Sequence, residues 1–219
     1  MVNKIIIGVA SVLATIGFLF LVYQITNKPT VSSFPDVSKI SVNDHIKWSP
    51  EKKNILVEYS DLQCPACKAF HNLIKAMEGN SSGSSPSAEF KIGQKVTFVY
   101  RHFPLAQHEN ADEAAYAAEA AGKQGKFYEM TDKLFETQDD WSKDSDPKKK
   151  FVTYAGELKL DLDQFKKDME SKAVKDKVKA DLNSGTKFQV LATPTFYLNG
   201  EKLDNIRSFE EFSKLLEEL

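Results

Sequence analysis

Cysteine is almost absent from this chain: two residues in 219, standing together as Cys64-Pro65-Ala66-Cys67. That supply excludes a disulfide-stapled scaffold, because a bridge across so short a loop removes little freedom from the unfolded chain. It also leaves a structural zinc site short of ligands. Such sites take four protein ligands, commonly from two closely spaced pairs. Here there is no second cysteine pair, and His71, four residues after Cys67, is joined only by His45, His102 and His108. Charge of one sign is equally scarce. The 29 basic and 31 acidic residues are interleaved and leave a formal net charge of −2. A nucleic-acid backbone has no massed basic surface to meet, so nucleic acid is not an expected partner. No internal repeat is apparent. What remains, 42% hydrophobic residues with fifteen Phe, is enough for a packed body of one ordinary domain with an appendage.

A lone Cys-x-x-Cys following the strand-like run Asn54-Ile55-Leu56-Val57-Glu58-Tyr59-Ser60 suits a reactive dithiol. A sulfur at a helix N-terminus lies at the positive end of the helix dipole, beside unpaired backbone N–H groups, and both favour thiolate over thiol. The second sulfur, one turn on, is placed to attack a mixed disulfide and release the partner. These positions predict a thiol–disulfide oxidoreductase. Glu58, six residues before Cys64, either points inward beneath the dithiol, where burial raises its pKa and makes it a proton carrier for Cys67, or faces solvent at the strand end; spacing leaves both open.

The N-terminal run Ile5 to Ile25 is broken only by Gly8, Ser11, Thr15, Gly17 and Gln24. About 20 such residues match the thickness of a bilayer core. A cleaved signal peptide has a shorter apolar region ending in a small-x-small site, which is not evident before Tyr23-Gln24-Ile25-Thr26-Asn27-Lys28. A retained single-pass anchor is therefore expected. Lys4 and the terminal amine, against Lys28 alone on the other flank, place the N-terminus in the cytoplasm. The body then stands on the extracytoplasmic side, where dithiol chemistry on secreted proteins is useful.

The remaining chain reads as alternating strands and helices. Thr26 to Pro50, with Pro29, Pro35 and Pro50, is a tether and lead-in, with Trp48 as a core or edge aromatic. Ile55–Tyr59 and Val96–Tyr100 are strands. The stretch from Gly79 to Ser87 is a surface loop by composition. Asn110 to Ala121 is an alanine-rich helix with Gly122 as its C′ residue. Pro147, Asp161 and Ser171 start further helices, and Ser208 with Glu211 forms a capping box for the last. Asn199-Gly200 is a hairpin turn between Thr195–Leu198 and Glu201–Leu203. His102 and His108 are strand-end histidines in the ordinary reading and thiolate stabilisers in the sharper one.

Three separated segments, in order, resemble the DsbA family. They are Glu58-Tyr59-Ser60-Asp61-Leu62-Gln63-Cys64-Pro65-Ala66-Cys67, Val99-Tyr100-Arg101-His102-Phe103-Pro104-Leu105, and Leu191-Ala192-Thr193-Pro194-Thr195-Phe196. The resemblance covers roughly Lys53 to Leu219. It implies an α/β thioredoxin fold with an inserted all-helical subdomain, here preceded by the single transmembrane helix. The boundaries are residues 1–26 for the anchor, 27–50 for the tether, 51–109 for the first part of the fold with the dithiol, 110–184 for the insert and 185–219 for the second part.

The same resemblance implies a cis Thr193–Pro194 bond opposite Cys64. Thr193 and Pro194 would then shape a groove for extended protein thiol substrates together with Pro65 and Ala66. It implies no metal or organic cofactor, since the chemistry belongs to Cys64 and Cys67, and a membrane partner that regenerates the disulfide. Strong oxidants of that family usually carry a histidine between the cysteines. Pro65-Ala66 departs from this and keeps a reductase or isomerase as the alternative enzyme. A non-catalytic thioredoxin-like module that holds extended peptides is the alternative outside enzymology.

Overall fold

A computed structural model describes residues 15–22, 32–48, 53–78, 92–204, 206 and 208–219. The chain divides into two units, Met1–Ser32 and Ser33–Leu219. In the first, residues 15–22 are helical, with exposed apolar side chains such as Phe18 and Phe20. Most of the run carrying the expected anchor lies outside the described residues. Among those described, no helix is long and apolar enough to cross a membrane.

The second unit is built on a five-stranded sheet of order β1-β3-β2-β4-β5. Its strands are β1 (His45–Lys47), β2 (Asn54–Ser60), β3 (Val96–His102), β4 (Thr195–Leu198) and β5 (Glu201–Lys202). β2 lies at the centre, parallel to β3 and antiparallel to β4. Both faces of β2 are covered, which explains its near-continuous apolar run. The two-residue period sorts its side chains. Leu56 enters one core with Cys64, Cys67, Phe98 and Tyr100, whereas Val57 and Tyr59 enter a second with Val37, Val99, Phe188 and Tyr197. Glu58 and Ser60 therefore share the face of the dithiol.

Helix α1 (Pro65–Met77) follows β2, and the short α2 (Ile92–Lys95) leads into β3. Six helices stand between β3 and β4: α3 (Ala111–Gly122), α4 (Phe127–Glu136), α5 (Gln138–Trp141), α6 (Lys148–Glu157), α7 (Leu162–Met169) and α8 (Lys172–Lys187). Their starts are chemically marked. The Asp161 carboxylate accepts from the N–H groups of Asp163 and Gln164, and the Ser171 hydroxyl from that of Val174. Ser208 does the same for Glu211 at the start of α9 (Phe209–Glu217). The hairpin turn has both residues at positive φ, 53° at Asn199 and 90° at Gly200, as a type I′ turn requires.

Two expectations are corrected. Gly122 is the last residue of α3, not its C′ residue. Gly125 holds the positive φ of 75°, while Lys126 N–H bonds Ala121 O and Gly125 N–H bonds Gly122 O, the Schellman pattern one turn later. Gly122 is small for another reason: a Cβ there would lie 3.1 Å from His45 Cε1. The second correction concerns the lead-in, which is not merely a tether. His45–Lys47 pairs with β3; Trp48 packs on Phe98 with ring centroids 5.8 Å apart, as expected of a core or edge aromatic. Three residues with no alternating pattern gave no strand signal.

The lead-in is held by Arg101, which reaches out from β3. Its guanidinium donates to both Asp44 carboxylate oxygens at 3.1 and 2.9 Å, to the carbonyls of Val37 and Lys39, and to the Tyr59 hydroxyl. Both charged side chains are nearly inaccessible. Removing one partner of such a pair strands the other charge and costs about 3–5 kcal/mol. Arg101→Met is expected to lose stability of that order in urea unfolding. Arg101→Met/Asp44→Asn should recover part of the loss.

Candidate active site

The end of β2 delivers the dithiol. After Ser60 the chain turns through Asp61, and the Cys64 N–H closes the turn on Asp61 O at 3.1 Å. Cys64 is then the N-cap of α1, with extended backbone (φ −75°, ψ 123°) and Pro65 at the first helical position. Its carbonyl accepts the first helical bond from Lys68 N–H. Proline fits there because no N–H is needed and its φ is already helical.

The two sulfurs occupy different surroundings. Cys64 is 7% exposed and Cys67 is fully buried. The Cys67 thiol first, and then the Cys67 N–H, the Thr193 side chain and the Ala66 N–H, bring the pKa of Cys64 from 9.0 down to about 5 against the opposing effect of burial. Burial, and then the neighbouring Cys64 sulfur, push the Cys67 thiol well above 9.0. Pro65 and Ala66 are exposed at the surface between them.

Facing Cys64 is the loop before β4. The Thr193–Pro194 bond is cis, and Cys64 Sγ donates to Thr193 O at 3.4 Å. The resemblance implied this juxtaposition of Cys64, Thr193 and Pro194, and the structure contains it.

Glu58 lies inside, 3% exposed, with Oε1 lacking a hydrogen-bond partner. Burial pushes its carboxyl from 4.5 up to about 7. Its charge in turn helps to raise the Cys67 thiol, after burial and the Cys64 sulfur. The Ser60 and Tyr100 hydroxyls are buried on the same face of the sheet without a hydrogen bond of normal geometry, yet the Ser60 hydroxyl is near enough to Glu58 and Cys67 to oppose the rise of both pKa values. Buried polar groups are normally paired, so this cluster beneath the dithiol carries a cost that packing does not explain.

Asp61 organises the turn. Its carboxylate accepts from Gln63 N–H at 2.7 Å, Leu105 N–H at 2.9 Å and His108 Nδ1 at 2.7 Å, while its own N–H donates to Cys67 Sγ at 3.4 Å. His108 thus acts on the loop through Asp61. His102 is turned away, 3.2 Å from Glu119 Oε1. His71 pairs with Asp132 at 3.1 Å. Among the described residues, no group of three or more His, Cys, Asp and Glu is arranged to hold a metal ion.

The family model for thioredoxin matches residues 41–218. The chain belongs to the thioredoxin family. Two solved structures share the fold: alpha-DsbA1 of Wolbachia pipientis, at 21% identity with a TM-score of 0.70 over 84% of this chain and 94% of that one, and BdbD of Bacillus subtilis, at 21% with a TM-score of 0.66 over 86% and 97%. A curated relative, the Na(+)/H(+) antiporter NhaA 1 of Mycobacterium sp. (strain KMS), is 35% identical over 164 residues, 73% of this chain and 24% of its own. The chain spans about a quarter of the length of the curated relatives it matches.

Within this thioredoxin-family site, sequence reasoning singled out the dithiol, left the direction of Glu58 open and took the Thr193-Pro194 loop from the resemblance, but missed Asp61 as an organiser and Gln63, Asn110 and Gln138 as its supports. Asp61 had a signal, an Asx-type turn residue directly after a strand. Gln138 had none, being an amide 74 residues from Cys64 in sequence.

The Glu58 carboxyl has a raised pKa, so the folded state disfavours its charged form. The stability it contributes is full below about 4.5 and is lost as pH rises through about 7. Glu58→Gln should therefore change stability little at pH 4 and stabilise the protein at pH 8 by up to about 3 kcal/mol, at about 1.4 kcal/mol per pKa unit. Urea unfolding at the two pH values checks this; an equal effect at both would mean that Glu58 does not titrate abnormally.

Proposed function

We propose that this chain is a protein thiol–disulfide oxidoreductase of the DsbA type, introducing disulfides into extended protein thiols. The observation that carries the reading is the asymmetry of the pair: Cys64 at the N-cap of α1 facing the Thr193 carbonyl, and Cys67 fully buried beneath it, which favours charge on the first sulfur and disfavours it on the second.

In the oxidised enzyme a substrate thiolate attacks Cys64 Sγ, forming the mixed disulfide and breaking the Cys64–Cys67 bond. Cys67 leaves as a thiolate in a dry site, and the Glu58 carboxyl, which with a pKa of about 7 is partly protonated at neutral pH, supplies its proton. A second substrate thiolate then attacks the substrate sulfur of the mixed disulfide. Cys64 leaves as a stabilised thiolate, and such a thiolate leaves faster. Substrate has lost two electrons as a new disulfide, and the enzyme holds them as the reduced pair. Thr193 and Pro194, with the exposed Pro65 and Ala66, offer a strand-like edge to the extended peptide. No organic cofactor or metal enters these steps.

The reading places the domain on the extracytoplasmic side of the cell membrane, on an anchor formed by the apolar run Ile5 to Ile25. A membrane redox partner there takes the two electrons and restores the disulfide. Pro65-Ala66, which puts no histidine between the cysteines, favours the reductase or isomerase as the second reading.

Equilibration of Cys64 and Cys67 with a glutathione redox buffer separates the two. A potential near or above about −150 mV is expected for a disulfide donor. A value near or below about −250 mV, in the range of thioredoxin-like reductants, would reverse the direction of electron flow.

A further inference from the structure

The turn that carries Cys64 is supported by the helical insert as well as by the sheet that precedes it. Gln138, the first residue of α5, is 3% exposed. Its side-chain amide donates to Leu62 O at 2.7 Å and to Cys64 O at 3.1 Å. One amide group thus holds two carbonyls on either side of Gln63. Gln63 reaches back: its Nε2 donates to Ser142 O at 2.8 Å, and its Oε1 accepts from Asn110 N–H at 2.7 Å. Asn110 Nδ2 closes the other side on the carbonyls of Trp141 and Asp144, and the buried Trp141 is fixed by its indole N–H on Leu134 O. The cysteine loop and the α5 turn are therefore tied by reciprocal bonds, and Gln138 is the member that touches the cysteine's own peptide.

We propose that Gln138 is a positioning residue for the Cys64 thiolate, holding the Leu62 and Cys64 carbonyls so that Cys64 Sγ stays at the N-terminus of α1. The inference rests on the reading of Cys64 as the attacking and leaving sulfur. The physical reason is a difference between redox states. In the oxidised enzyme the disulfide itself fixes Cys64 relative to Cys67. In the reduced enzyme only non-covalent bonds hold the loop where the Ala66 and Cys67 N–H groups meet the sulfur. Without the amide, the buried Leu62 carbonyl loses its donor, and the loop can relax in the reduced form alone. Gln138 thus stabilises the reduced state more than the oxidised one and makes the pair a stronger oxidant.

The test compares the full chain with Gln138→Leu. Two quantities are read: the pH midpoint of Cys64 alkylation by iodoacetamide, and the equilibrium with glutathione. A net hydrogen bond corresponds to about a three- to tenfold change in an equilibrium. The variant is therefore expected to shift about three- to tenfold towards the disulfide and to titrate Cys64 at a higher pH. A residue with only a structural role would lower the unfolding midpoint of both redox forms alike and move neither quantity. That result, in a parent with a low thiolate midpoint, overturns the role of Gln138 while leaving the reading of Cys64 intact. A parent whose Cys64 titrates as an ordinary thiol overturns both.

If Gln138→Leu does not fold, the unmodified protein still decides. Exchange of the Gln138 side-chain amide protons, followed by NMR, is expected to be slow and to differ between the reduced and oxidised forms. Exchange as fast as that of exposed glutamines, or identical in the two forms, overturns the proposal.

Discussion

One turn of helix holds two sulfurs in opposite surroundings, and the rest of the domain serves that difference. Cys64 occupies the N-cap position, where a helix leaves its N–H groups unsatisfied and its dipole is positive. Cys67 points into the core formed by Leu56, Phe98, Tyr100 and the alanine face of α3. A charge on the first sulfur is stabilised and a charge on the second is penalised. Neither condition holds for an isolated Cys-x-x-Cys peptide. Both require a core thick enough to bury Cys67 and a strand that delivers the helix start to the edge of that core.

The central place of β2 meets the second requirement. With β3 and β4 on its two sides and cores on both faces, its C-terminal end is fixed, and so is the turn beginning at Asp61. The short antiparallel β1, clamped by Arg101 and Asp44, completes the β3 side of the sheet. The β4 side supplies the Thr193-Pro194 loop, whose carbonyl meets Cys64. The two halves of the candidate site thus approach from distant parts of the chain, Cys64 and Thr193 being 129 residues apart in sequence. The sheet brings them together.

What could be read beforehand follows from how local each signal is. The dithiol, the strand ending at Ser60, the Asn199-Gly200 turn and the caps at Asp161, Ser171 and Ser208 all reside in a few adjacent residues, and the structure agrees with each. Gly122 misled because the local rule, glycine after an alanine helix, competed with a tertiary one: His45 and Phe127 lie close there, and a Cβ would crowd them. β1 was invisible because its pairing with β3 defines it, not its own composition. Glu58 was undecidable from spacing, since only what packs on each face of β2 shows that both are buried and that Glu58 shares the face of the dithiol. The run Ile5 to Ile25 that carries the expected anchor falls mostly outside the described residues.

The polar groups around the dithiol divide into two sets with opposite energetics, and the division is informative. Asp61, Gln63, Asn110 and Gln138 are richly hydrogen-bonded, so they rigidify the loop at little net cost. Glu58 Oε1 and the Ser60 and Tyr100 hydroxyls are buried with at best poor hydrogen-bond geometry, which is destabilising. A fold selected for stability alone would place an apolar side chain at position 58, between Val57 and Tyr59. On the proposed reading, a carboxyl there, with its pKa raised to about 7 beneath the Cys67 thiol, is stability given up where a leaving thiolate would take up a proton. The paired set explains why the loop tolerates that cost. Its geometry is fixed from outside, by the turn at Asp61 and by amides from the helical insert, so the poorly paired groups below can remain available to the sulfur.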